Sequence, residues 1–315
     1  MNGLRIAVTG ASGFCGAAVA RAAAEAGATV VCLGRRPGPV GRHVHWDAAR
    51  DRPDLTGTDA VIHLAAAVGD TGGGPAVEAA YRAVNVDCTA RLLAAAGERP
   101  VVWVSSASVY DPRLRVEAIT EDHPVTGQRT PYGRTKAEGE RLALDAGAVV
   151  LRPRAVYGPG DPHLLPRLVR AVRRGRVMLP GRDVRLSLTA VENLADACLA
   201  ALGWPAGAYN IADATPYSRD AVVRDGLAAL GHPVRVAHLP VPLTMAAAAV
   251  VETIARLPGT GPPTLTRYAV DQLAHGVVLD TTRARTQGWT PSRSFSDFVA
   301  EPGFPAWAGG ATSKL

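Results

Sequence analysis

Tyr132 and Lys136 stand four residues apart in the stretch "TPYGRTKAEGE", inside a predicted helix. That spacing sets both side chains on one helix face, one turn apart. A free tyrosine phenol titrates near 10, too high for a base at neutral pH. An ammonium one turn away stabilises the phenolate and lowers that value, which makes Tyr132 a usable general acid and base. Of the 34 lysines and arginines in the chain, Lys136 and Lys314 are the two lysines. An amine kept among so many guanidiniums marks a position where a compact group with three rotatable donors is needed, as it would be to hold a cofactor ribose. By itself the pair also fits an exposed helix turn.

The run "VVWVSSASVY" offers a third group. It reads as a strand that ends in small hydroxyl residues, where Ser106 can hydrogen-bond a substrate oxygen as charge develops on it. Ser105 and Ser108 read as alternatives or as turn residues.

These groups need elements to hold them. "RIAVTGASGFCGAAVARAAAEAGATVVCLGRR" passes from a β-branched run through a glycine-rich turn into an alanine-rich helix and back to a strand. Gly10, Gly13 and Gly16 allow a tight turn, a close backbone approach to a pyrophosphate and close strand–helix packing. The helix start then presents free N–H groups to the anion. The spacing is GxxGxxG rather than GxGxxG, and a ligand-free turn is the alternative. After the second strand come Arg35 and Arg36 with no carboxylate, which favours the 2′-phosphate of NADP over the bare ribose of NAD.

Further strands at "DAVIHLAA", "PVVWVSS" and "AVVLRPR" alternate with helical segments, which argues for a parallel, doubly wound α/β sheet. Residues 1–155 read as a dinucleotide-binding domain and 156–315, richer in proline and irregular runs, mainly as a smaller substrate-binding region. The segment 186–212 returns to the first layer. The stretch Leu243 to Val251 reads as a cover for a greasy substrate or as a core helix.

The bulk properties narrow the classes. A net charge of +6 without a basic, aromatic-interleaved stripe gives no support to nucleic-acid binding. Eight histidines show no HExxH spacing and four cysteines no CxxC pair, so no metal is expected; Cys15, Cys32, Cys88 and Cys198 read as buried, reduced thiols. The N-terminus lacks the features of a signal peptide, and the longest apolar run is broken by Pro240 and Pro242, so a soluble cytoplasmic protein is expected. The last three residues, "SKL", spell a peroxisomal address that a loose tail can also match by chance.

Taken in order, "TGASGFCG", "HLAA", "NVDCTA", "SSASVY", "YGRTK" and "LRPRAVYGPGD" resemble the extended short-chain dehydrogenase/reductase family over nearly the whole chain. The resemblance implies a Rossmann domain with an interleaved C-terminal substrate domain and a catalytic set on Ser106, Tyr132 and Lys136. It implies cofactor contacts at Gly10, Gly13, Phe14, Cys15, Gly16, Arg35 and Arg36, with Asp47 near the adenine. Leu64, Ala65 and Ala66 would line the cofactor, as would Tyr132, Lys136, Pro153 and Val156, with Asn85 supporting the site from its helix. A homodimer built on two helices per subunit is also implied. Val191 and Asn193, in a V-x-N pattern, look like the 3β-hydroxysteroid and sterol-4-carboxylate dehydrogenase branch.

The expected activity is an NADP(H)-dependent exchange between a secondary alcohol and a ketone on a small, apolar molecule. The alternative is a nucleotide-sugar epimerase with tightly held NAD, for which Arg182 and Arg185 are the candidate diphosphate ligands; a non-catalytic nucleotide-binding protein ranks third. Two departures stand out: Asp111 follows Tyr110 where the family usually has glycine, and Gly72 to Gly74 come after the third strand-end loop, where flexibility would remodel the site entrance. No Asp-Glu pair follows the serines, which disfavours dehydration.

Overall fold

Apolar runs of four to six residues, bounded by glycine and loop signals, build the strands of the protein. We describe a computed structural model over residues 1–69, 74–114, 116–255 and 265–301. The first half runs β1 (Arg5–Thr9), α1 (Phe14–Glu25), β2 (Thr29–Gly34), β3 (Arg42–His45), β4 (Ala60–His63), α2 (Pro75–Arg82), a π turn over Ala83–Asp87, α3 (Cys88–Ala96), β5 (Val101–Val104), α4 (Pro131–Asp145) and β6 (Val149–Pro153). Then follow β7 (Val156–Tyr157), α5 (Leu164–Ala171), β8 (Arg176–Pro180), β9 (Arg185–Leu186), β10 (Thr189–Ala190), α6 (Val191–Ala200), β11 (Gly207–Ile211), β12 (Tyr217–Ser218), α7 (Arg219–Ala229), β13 (Arg235–Leu239), α8 (Val241–Ile254), α9 (Arg267–Ala274), α10 (Thr282–Arg285) and α11 (Phe295–Ala300).

Seven strands form one parallel sheet in the order β11-β6-β5-β4-β1-β2-β3. Because side chains alternate across a strand, its residues divide between two cores. Ile6, Val8, Val30, Ile62 and Leu151 pack with Val19 and Ala20 of α1 and Leu194 and Cys198 of α6. Ala7, Val31, Val61, Trp103 and Val150 pack with Cys88 and Leu92 of α3 and Ala143 of α4 on the other face. The chain turns outward in both directions from β1, so the carboxyl ends of β1 and β4 flank the point where strand order reverses, the place where open α/β sheets bind ligands.

The remaining strands pair in twos: β7 with β10, β9 with β12, and β8 with β13. Strands β7, β9, β10 and β12 adjoin a separate core of Tyr157, Leu165, Leu186, Leu188, Phe295 and Phe298, while β8 and β13 pack with Val223 and Leu227 of α7. Asn193 joins this lobe to the C-terminal segment: its side chain donates to Asp213 Oδ1 (2.7 Å) and to the Arg293 carbonyl (2.8 Å), and accepts from the Ser292 and Arg293 N–H groups. Helix α8 exposes Leu243, Val250 and Ile254, so the stretch Leu243 to Val251 is not a buried core helix. Among the described residues no helix is long and apolar enough to cross a membrane.

Candidate active site

The floor of the site is the crevice between β1 and β4. Thr9 ends β1, and its Oγ1 accepts from the N–H groups of Leu64 and Ala65 (3.1 Å each), holding the loop after β4 against the glycine turn. Gly10 has φ +70, and a Cβ there would fall 2.9 Å from the Ala65 nitrogen. A side chain on Gly16 would sit 2.2 Å from the Gly10 carbonyl oxygen. Both glycines are therefore fixed by close backbone approach, and α1 starts at Phe14 with no side-chain cap and no acid in its first turn. That leaves uncapped N–H groups beside a backbone cradle with no Cβ, which is the donor set a dinucleotide pyrophosphate requires. The residues present fit such a cofactor.

Arg35 and Arg36 lie just past β2, exposed, with no side-chain partner among the described residues. Asp47 follows β3 and is partly buried; its Oδ1 accepts from Ala49 N–H (3.0 Å), a local turn bond that leaves Oδ2 to other donors. Pro153 ends β6 and Val156 opens β7. These positions, together with Gly10, Leu64 to Ala66 and Ser106, all follow the carboxyl ends of parallel strands, which puts them along one edge of the sheet.

The catalytic candidates come from β5 and α4. Thr130 caps α4 by accepting from Gly133 N–H (3.1 Å), and Pro131 occupies the first turn. Two glycines let this helix dock: a Cβ on Gly133 would fall 2.9 Å from the Ser108 carbonyl, and one on Gly139 would fall 2.3 Å from the Asn85 carbonyl. Tyr132 is half-buried, and Lys136 is 2% exposed. The Lys136 ammonium donates to the Val104 carbonyl (2.6 Å) and lies 3.6 Å from the centre of the Trp103 ring. Burial brings its pKa down to about 7, against the upward pull of the Glu140 carboxylate.

Ser105 and Ser106 separate cleanly. Ser105 is buried and donates to Glu140 Oε2 at 2.5 Å, so its hydroxyl is committed below the site. Ser106 Oγ accepts from Ser108 N–H (3.2 Å), which keeps its own proton for an incoming oxygen. Ser108 Oγ, on the same turn, is buried without a partner among the described residues. Asn85, in the π turn, accepts from Ala67 N–H (2.8 Å) and donates to Ala67 O (3.1 Å) and Thr135 Oγ1 (2.9 Å), tying the loop after β4 to the helix that carries Tyr132 and Lys136.

A family model, that of the NAD dependent epimerase/dehydratase family, matches residues 6–212. The chain belongs to this family. It is an NAD(P)-dependent oxidoreductase of the extended short-chain dehydrogenase/reductase type. It is 31% identical to a 2-alkyl-3-oxoalkanoate reductase of Stenotrophomonas maltophilia over 93% of this chain and 97% of the relative. A 4-hydroxy-2-methyl-3-oxo-4-farnesyl-3,4-dihydroquinoline-1-oxide ketoreductase of Stigmatella aurantiaca is 30% identical over 90% of this chain and 91% of its own. Among solved structures, MoeE5 in complex with UDP-glucuronic acid and NAD superimposes with a TM-score of 0.73 at 26% identity, covering 98% of this chain and all of that one.

Several features of the site lie outside the sequence reading. Beneath the serines runs a buried network: Glu140 Oε1 accepts from Arg152 Nη2 (2.5 Å) and Nε (3.0 Å), Arg152 Nη1 donates to Tyr110 Oη (2.5 Å), and Tyr110 Oη donates to Asn210 Oδ1 (2.9 Å). Glu140 sits one turn beyond Lys136, the only member of this network whose spacing on the helix signals it. Cys32, Cys88 and Cys198 are buried free thiols, whereas Cys15, in the first turn of α1, is only partly buried. Arg185 donates to the Pro216 carbonyl (2.7 Å) and Arg182 is exposed. Asp111 folds back on Arg113, while Tyr110 is buried. Arg174, Arg176 and Arg235 line an open surface groove of about 430 Å³. Gly72, Gly73, Lys314 and the terminal "SKL" lie outside the described residues.

Proposed function

We propose that the protein is an NADPH-dependent reductase of a ketone on an apolar small molecule, working through Ser106, Tyr132 and Lys136. The observation that carries this reading is the burial of a rare lysine at 2% exposure, one turn from Tyr132 and against the end of the strand that leads to Ser106. When bound, the nicotinamide supplies the hydride, so that ketone, NADPH and one proton balance alcohol and NADP⁺. Tyr132 gives the proton to the carbonyl oxygen, and Ser106 donates a hydrogen bond to the same oxygen as it gains charge. Lys136, drawn toward a bound ribose, holds the phenol's charge in balance. Arg35 and Arg36 meet the 2′-phosphate. The names of the two reductase relatives, an oxoalkanoate and a farnesylated quinoline oxide, support a keto group on a greasy skeleton.

Titration with NADPH and NADH, followed by nicotinamide fluorescence and repeated on Arg35→Asp, tests it. A preference for NADPH that collapses in the variant is the expected result. The match to a UDP-sugar complex supports a second reading, an epimerase with tightly held NAD. Non-dialysable NAD in the purified protein, indifferent to Arg35, would move that reading ahead.

A further inference from the structure

Three arginines are buried among the described residues: Arg152, Arg154 and Arg219. Two have a carboxylate in contact, Glu140 for Arg152 at 2.5 Å and Asp220 for Arg219 at 2.9 Å. Arg154, 8% exposed, has none among the described residues. Its Nη1 donates to the Ser187 carbonyl (2.9 Å), and its Nη2 reaches Gln272 Oε1 only at 3.5 Å, with the Tyr268 phenol nearby. A guanidinium carries five N–H donors and stays charged, and a charge taken out of water without a counter-ion is costly. Burial brings even this group down to about 10. The acceptors it has are neutral and fill two of its donors.

The position of Arg154 says where the missing anion comes from. Ser105 N–H donates to Leu151 O (2.7 Å), so the residues after β6 run beside Ser105 and Ser106, and Arg154 follows the last residue of that strand. On the other side Gln272 is preceded in α9 by Asp271, which pairs with Arg129, three residues before Tyr132. Arg154 thus leaves the end of the strand beside Ser105 and Ser106, and its guanidinium lies between the Ser187 carbonyl and Gln272 of α9, the helix tied through Asp271 to Arg129.

We propose that Arg154 receives a carboxylate of the substrate, so that the protein acts on oxo acids and their hydroxy acids in preference to neutral ketones and alcohols. This inference rests on the reductase reading of the site. A bidentate carboxylate fills two guanidinium donors and supplies the counter-charge together.

The test compares 3-hydroxydodecanoate with its methyl ester, by calorimetry on the NADP⁺-loaded protein and by NADPH formation. The acid should bind about 10- to 100-fold tighter than the ester, the range for a hydrogen-bonded charge pair. Arg154→Gln should remove that preference and leave the ester's affinity unchanged; Arg154→Lys should keep part of it. Equal binding of acid and ester by the wild-type protein, or equal loss of both in Arg154→Gln, overturns the proposal. Should Arg154→Gln fail to fold, the wild-type comparison decides alone. Turnover of the ester without a preference for the acid sinks the anion site and leaves the reductase standing. Arg154-dependent binding of the acid with no NADPH formed does the reverse.

Discussion

Thr9 Oγ1 and His63 Nδ1 meet at 2.8 Å across the crevice between β1 and β4. The threonine oxygen also accepts from two backbone N–H groups, those of Leu64 and Ala65. With both lone pairs occupied, its proton goes to Nδ1, so the imidazole is neutral and carries its hydrogen on Nε2. The ring stacks on Trp103 with centroids 6.3 Å apart, and Lys136 lies over the same tryptophan. The loop after β4 thus depends on one histidine staying uncharged.

Acid should loosen this crevice first. Burial, reinforced by the Lys136 charge, depresses the His63 pKa from 6.5 to about 3. A folded pKa below the unfolded one gives stability that is complete above pH 6.5 and is lost as the pH falls toward 3, because the unfolded chain takes up the proton first. At pH 5 the loss is on the order of 2 kcal/mol. Melting temperatures across pH 4–7 should show that slope in the wild type and a flatter one in His63→Asn, whose amide oxygen can still accept from Thr9. Parallel slopes would remove His63 as the cause.

Gly16 makes a sharper demand. A Cβ would stand 2.2 Å from the Gly10 carbonyl, so Gly16→Ala must push α1 away from the turn. A cost of about 1–3 kcal/mol in stability is expected. The loss in NADPH affinity should exceed what Gly13→Ala causes, since a Cβ there comes only within 3.2 Å of the same oxygen. Calorimetric titration of both variants ranks them, and equal affinities would contradict the close-approach account.

How much of this was legible in the chain differs by residue. The parallel sheet follows from alternating apolar strands and helical runs, and the glycine turn from three glycines set between a strand and a helix, a spacing that by itself also fits a ligand-free turn. Tyr132 and Lys136 announce themselves because both sit on one element, where spacing determines facing. Glu140 was equally open to that logic, four residues beyond Lys136, but its partner Arg152 lies on β6 and Tyr110 on a loop, brought together only by strand order. Arg154 was hidden for a different reason. Its significance is a missing carboxylate, and an absent partner has no signature in a sequence. The choice between a cover and a core helix at Leu243 to Val251 likewise turned on what packs outside α8, since its apolar residues occur all round the helix.

The Glu140–Arg152 pair ties the chemistry to the fold. Both side chains are at most 3% exposed, and removing one partner leaves the other buried and charged. Arg152→Met should therefore cost about 3–5 kcal/mol in unfolding free energy. Glu140→Gln carries a second effect. The Glu140 carboxylate opposes the desolvation that lowers Lys136, so its loss should push the ammonium's pKa below about 7 and shrink the charged population at neutral pH. A pH–rate profile whose lysine-dependent limb moves to lower pH in Glu140→Gln is the expected outcome; a lower Tm with an unmoved profile would restrict Glu140 to a structural role.

Lys136 itself allows the most direct test of why the amine was kept. Its Nζ is enclosed between the Val104 carbonyl at 2.6 Å and the Trp103 ring at 3.6 Å, with 2% exposure. A planar guanidinium is broader than an ammonium and projects five fixed donors, so Lys136→Arg restores charge without restoring fit. If charge alone mattered, Lys136→Arg would keep most of the activity that Lys136→Met loses. If position matters, both variants should fall by a factor of about 10²–10⁴ in kcat, the range for a positioned acid–base group, alongside Tyr132→Phe. NADPH affinity separates the proposed roles further: a phenol that acts on the substrate oxygen predicts that Tyr132→Phe retains it, and an ammonium that holds the ribose predicts that both lysine variants weaken it. Retained activity in Lys136→Arg would show that the near-absence of lysine elsewhere in the chain is compositional and that this position carries no requirement for the amine.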